Sequence, residues 1–129
     1  MLSADTNVLV RAVTQDDPQQ VARAASMLRS NQIWIAKTVL LETEWVLRSV
    51  YGLSKDSILA ALRSLAGPQN VQLEDAGVVA QALEWSDKGL DFADALHLAS
   101  SGEAERFITF DRKLAHRAKN LTSLEVVAP

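Results

Sequence analysis

The sequence predicts an α/β fold arranged around a mostly parallel sheet. Three observations predict it. Short runs rich in β-branched and aromatic residues alternate with amphipathic helical stretches along the whole chain. Acids recur where such runs end and helices begin, in "SADTN" (3–7), "LDFAD" (90–94) and "ITFDRK" (108–113). No repeat, low-complexity tract or linker interrupts the 129 residues, so a single domain over 1–129 is expected.

Taken in order, residues 2 to 5 read as a buried first strand ending at Asp5, and "NVLVRAV" as a short helix. "DDPQQVARAASMLRS" places Pro18 in the first turn of a second helix, behind two acids. "QIWIA" (32–36) is the second strand. "TVLLETEWVLRSVYG" follows as a helix with Thr38 as its N-cap and Gly52 as its stop. A further helix starts at Ser54 and ends at Gly67-Pro68. "VQLE" then reads as a strand and "DAGVVAQALEWSDKG" as a helix. "DFADALHLASS" is the next helix, "RFITF" a strand, "DRKLAHRAKN" a helix and "LEVV" the last strand.

Composition narrows the function classes. Apolar residues are 48 % and charged residues 22 %, the balance of a globular chain. No apolar stretch approaches the roughly 20 residues that cross a bilayer. The amino terminus reaches Asp5 too early for a signal peptide, so a cytoplasmic location is expected. The absence of cysteine excludes disulfides, zinc–thiolate sites and a cysteine nucleophile. A net charge of −3 argues against indiscriminate coating of nucleic acid, though not against nucleic acid as a substrate.

Among sixteen acidic residues, a few occupy places where a carboxylate is expensive. Asp5 and Asp111 each follow a strand and precede a helix. Either is explained by an N-cap, and either also lies where open α/β sheets bind ligands, beyond the carboxyl ends of strands. On a helical wheel Glu44 lies near Arg48, which marks a solvent face. Glu42 points elsewhere, among Val39, Trp45 and Val46, and there needs a cation or hydrogen-bond donors. Asp91 and Asp94 fit N-cap and N3 of their helix, and spacing alone leaves them as capping residues.

Together "DTNVLVR" (5–11), "LLETEWVL" (40–47), "DFADALHLA" (91–99) and "ITFDRKL" (108–114) resemble the four signature segments of PIN domains, most of all the short VapC-type toxins. The resemblance covers essentially the whole chain in order. It implies a three-layer α/β/α sandwich with a central, mostly parallel sheet of four to five strands. It also implies cleavage of RNA with Mg²⁺ or Mn²⁺, homodimers, and restraint by a cognate antitoxin protein. Matched position by position, the four family acids fall on Asp5, Glu42, Asp94 and Asp111. Asp91 takes an accessory part in capping or orientation, and Thr109 matches a hydroxyl residue common two positions before the fourth acid.

A cluster of carboxylates without thiolate suits a hard divalent cation. On this reading Asp5 and Asp94 are the core metal ligands. Glu42 and Asp111 complete the site, and either could orient the attacking water. Arg11, Arg112, Lys113, Arg117 and Lys119 are candidates for neutralising phosphates, although helical solvation accounts for most of them. His97 and His116 read as ordinary polar-face residues, and Trp34, Trp45 and Trp85 as core. The alternatives are a DNA or flap nuclease and a non-catalytic PIN-like binding module. A phosphoacceptor receiver module fits poorly, since "SADTN" offers one acid where such modules need a pair and no lysine follows "LEVV".

Overall fold

The computed structural model describes residues 1–129. In chain order its elements are β1 (Leu2–Ser3), α1 (Thr6–Val13), α2 (Pro18–Ser30), β2 (Ile33–Ile35), α3 (Lys37–Ser49), α4 (Lys55–Ala66) and β3 (Val71–Leu73). There follow α5 (Ala76–Asp87), α6 (Phe92–Ala99), β4 (Arg106–Ile108), α7 (Arg112–Ala118) and β5 (Glu125–Val127). The chain forms two units, Met1–Ala76 and Gly77–Pro129. No helix is long and apolar enough to cross a membrane.

In the first unit β1, β2 and β3 form a parallel sheet in that order, with Leu2 opposite Ile33 and Ile33 opposite Val71. In the second, β4 and β5 pair in parallel, Arg106 opposite Glu125. The alternation of strand and helix is therefore borne out, and so are the parallel strands. The expected single sheet of four to five strands is corrected: the five strands divide into sheets of three and two. Local pattern identifies a strand, but pairing is a long-range choice that β-propensity does not encode. The first strand is also shorter and more exposed than expected, with Leu2 44 % exposed.

The apolar side chains that helical periodicity selects are buried. They include Leu9, Leu40, Leu47, Ile58 and Leu62 in the first unit, and Val79, Leu83, Phe92, Leu96, Leu98 and Leu114 in the second. In α3 the buried arc is Leu40, Thr43, Glu44 and Leu47, a spacing of 3, 1 and 3 that lines one helical stripe. The expectations for Glu42, Glu44 and Trp45 fail on this helix. Glu44 is the buried acid, its carboxylate bound by Arg48 Nε at 2.9 Å, while Glu42 is exposed. Arginine bridges the boundary with its charged head outside, so a pair four residues apart does not mark a solvent face. Trp45 is likewise 53 % exposed rather than core.

Caps fix where the helices start. Asp17 accepts from Gln19 and Gln20 N–H, and Ser54 from Ser57 N–H. Thr38 does not cap α3, as the sequence suggested. Ala36 holds the N-cap position and has no side-chain acceptor. The missing acceptor comes from the end of β3, where Glu74 Oε1 takes the Lys37 N–H at 2.9 Å. Lys37 Nζ meets Asp75 Oδ2 at 2.7 Å beside it. Gly52 ends the α3 region as expected, with φ +64, a left-handed conformation natural to glycine. Removing the borrowed cap by Glu74→Ala should cost about 1 kcal/mol, the usual value for a lost cap. Chemical denaturation at neutral pH measures it, and an unchanged midpoint would show the bond to be inconsequential.

Candidate active site

In the first unit the carboxyl ends of three parallel strands share one edge, so Asp5, the start of α3 and Glu74 gather there. Asp5 caps α1. Its Oδ1 accepts the Thr6 N–H at 2.8 Å, and its carbonyl accepts from Val8 and Leu9. Oδ2 takes no donor. Glu42, in the second turn of α3, lines the same open pocket of about 350 Å³ as Asp5, together with Thr6, Asn7, Val10, Arg11, Val46, Val50 and Tyr51. The wheel argument placed Glu42 against apolar neighbours for lack of solvent, whereas the structure gives it an accessible wall beside a second carboxylate. Thr6 Oγ1 in this pocket is buried with no hydrogen-bond partner, a polar atom that an occupant could satisfy.

The second unit brings Asp91, Asp94 and Asp111 within electrostatic reach of one another. Asp91 caps α6, its Oδ2 accepting the Asp94 N–H at 3.4 Å. Asp94 stands at N3 of that helix, half-buried, with no hydrogen bond to its carboxylate. Burial, then the charge of Asp91, then that of Asp111 push its carboxyl above the ordinary 3.8, with His97 acting in the opposite sense. Asp111 caps α7 through Oδ1, which accepts from Lys113 at 2.9 Å and Leu114 at 3.1 Å. Thr109 Oγ1 in turn accepts the Asp111 N–H at 3.0 Å, and Thr109 N–H donates to the Val127 carbonyl. The hydroxyl thus shapes the turn that presents Asp111.

Each unit therefore gathers two of the four sequence-selected acids, Asp5 with Glu42 and Asp94 with Asp111. None of the four joins an ion pair. No group of three or more His, Asp or Glu is arranged to hold a metal ion. The donors present are carboxylate and hydroxyl oxygens, which fit a hard divalent cation rather than a soft one. Of the basic candidates, Arg117 donates to the Gly89 carbonyl at 3.0 Å, and Arg11 lines the first-unit pocket. His97 and His116 are exposed, as read. Sequence reasoning missed Thr6 and Tyr51. Tyr51 carries no local signal, because its hydroxyl partners Arg11 and Asp16 lie 40 and 35 positions away.

A PIN domain family model matches residues 4–120, a span that contains all four acids. The chain belongs to the PIN domain family. Among solved structures, this PIN domain is similar to that of a Mycobacterium tuberculosis toxin, VapC20, described as cleaving the sarcin-ricin loop. The identity is 20 %, the coverage 97 % of this chain and 99 % of that one, and the TM-score 0.46. None of the curated proteins compared with the PIN domain matches it.

The raised Asp94 carboxyl has a consequence for stability. A group more easily protonated in the folded chain binds more protons there, so stability falls as pH rises from the unfolded value near 3.8 through the raised folded value. Above that interval the penalty is fully present. Asp94→Asn should therefore be at least as stable as the native chain at pH 7, with the advantage narrowing as the pH approaches 3.8. Denaturation midpoints at both pH values check this, and a less stable variant at pH 7 would contradict it.

Proposed function

We propose that this PIN domain is a Mg²⁺- or Mn²⁺-dependent endoribonuclease that hydrolyses RNA phosphodiester bonds as the toxin of a type II toxin–antitoxin pair. The observation that carries the reading is the state of the four acids. Asp5 and Asp111 are held as caps after strands, Asp94 in the first turn and Glu42 in the second turn of a helix, yet none is spent on a basic partner. The order of the four motif segments supports the VapC-type toxin within the wider family. We place the protein in the cytoplasm as a homodimer acting on RNA, with an antitoxin protein as its restraining partner.

The divalent cation, when bound, makes water a better nucleophile and polarises the phosphate. Asp5 and Asp94 would hold it. The backbone N–H on Asp5 Oδ1 fixes that carboxylate's direction and leaves Oδ2 to a ligand. Glu42 and Asp111 would complete the site, and either would accept a hydrogen bond from the attacking water and so orient it. Thr109 and Asp91 act through these residues, the first by shaping the Asp111 turn and the second by capping the helix of Asp94.

Purified, antitoxin-free protein incubated with total cellular RNA tests the reading. Discrete cleavage should require Mg²⁺ or Mn²⁺ and stop with chelator. Removing a direct ligand by Asp94→Asn should cost at least the roughly 100-fold at the upper end for residues that merely support metal ligands. Glu84→Gln, in an exposed pair with Lys88, should leave the rate unchanged. If the four acids serve one reaction, Asp5→Asn combined with Asp94→Asn should be no slower than the worse single variant. Cleavage of DNA alone, or of neither polymer, would overturn the assignment in favour of a DNA nuclease or a binding module.

Metal also serves as a stability probe. At 100 times its dissociation constant a cation bound only by the folded chain adds about 2.7 kcal/mol. Melting should rise with Mg²⁺ or Mn²⁺ for the native chain and much less for Asp94→Asn. Equal shifts in both would count against Asp94 as a ligand.

A further inference from the structure

We propose that Arg11 binds an internucleotide phosphate of the substrate strand at the mouth of the Asp5–Glu42 pocket, with Tyr51 as the residue that positions it. This rests on the ribonuclease reading, which it deepens by naming the group that grips the substrate.

Arg11 lies in α1 and lines the pocket beside both carboxylates, yet it makes no ion pair with either. Its guanidinium is held from the other side. Nε donates to Gln20 Oε1 at 2.7 Å, and Nη1 donates to the Tyr51 hydroxyl at 2.8 Å and stands 3.6 Å from Asp16 Oδ2. The Tyr51 hydroxyl donates to Asp16 Oδ2 at 2.6 Å, which turns its lone pairs towards Arg11. Two of the three nitrogens are thus fixed, and Nη2 takes no partner. A guanidinium orientated this way offers two free N–H groups in a known direction, the arrangement that suits a phosphate oxygen. Two carboxylates in one pocket would by themselves repel a polyanion, and Arg11 is the one cation lining that pocket. A staple between helices would need only the Gln20 and Asp16 contacts. The Tyr51 relay and the open Nη2 are what a binding role adds.

The test is binding of a short fluorescein-labelled single-stranded RNA, read by anisotropy against salt, in an Asp94→Asn background with Mg²⁺. Arg11→Gln should weaken binding about tenfold and lower the salt slope by about 0.7, the value of one phosphate on a single strand. Tyr51→Phe keeps the ring and should weaken binding several-fold beside Arg11, but not at all beside Arg11→Gln. If Arg11 is only a staple, both variants lower the melting temperature and leave affinity and salt slope alone, which overturns the proposal. Absence of RNA binding by the Asp94→Asn protein overturns it too. RNA binding that depends on Arg11, in a native chain that cuts no RNA, would keep the phosphate contact and remove the nuclease reading instead.

Discussion

Every helix begins with N–H groups that its own backbone cannot satisfy. At three points this chain meets that demand with an aspartate that also belongs to a family motif. Asp5 and Asp111 each give one oxygen, Oδ1, to the first turn, and Asp91 gives Oδ2. A carboxylate has two oxygens, so the cap and the site draw on the same side chain without competing. The backbone bond fixes the direction of the free oxygen, a service that a flexible surface acid would lack. Parallel strands then bring the caps of the first unit to one edge, because strands that run together also end together.

Holding acids in this way has an energetic consequence. Glu44 illustrates the ordinary treatment of a buried carboxylate, since Arg48 answers it directly. Asp94 has no such answer and carries the combined penalty of burial and two like charges. Residues kept under strain for chemistry commonly lower stability, and relieving them commonly raises it. The contrast between Glu44 and Asp94 separates an acid that supports the fold from one that burdens it, although both sit on helices.

Much of this was legible from local pattern. Asp5, Asp91 and Asp111 were recognisable as caps because capping is decided within three residues. The alternation of strand and helix also survived. One failure was itself local, and the others depended on distant parts of the chain. The Glu44–Arg48 pair suggested a solvent face, whereas the Leu40, Thr43, Glu44 and Leu47 spacing already described the buried stripe. Weighing that stripe above the ion pair would have placed both glutamates correctly. The α3 cap was misassigned to Thr38 because its true acceptor, Glu74, lies 37 residues away. The division of the strands into two sheets, and the Tyr51 relay, had no local trace for the same reason.

The Glu74 bond also bears on the order in which the chain can mature. The first turn of α3 has no acceptor of its own, and Glu42 sits one turn further on. On a ribosome, the segment carrying Glu42 leaves the tunnel well before residue 74, so its helix starts life unfinished. Closing a loop of that length carries an entropic cost that shorter contacts avoid. The helix that carries Glu42 to the wall of the Asp5–Glu42 pocket therefore gains its cap only after β3 has docked. A nascent chain interrupted before that point holds both acids, with Asp5 already fixed by its local cap and the first turn of the Glu42 helix still uncapped.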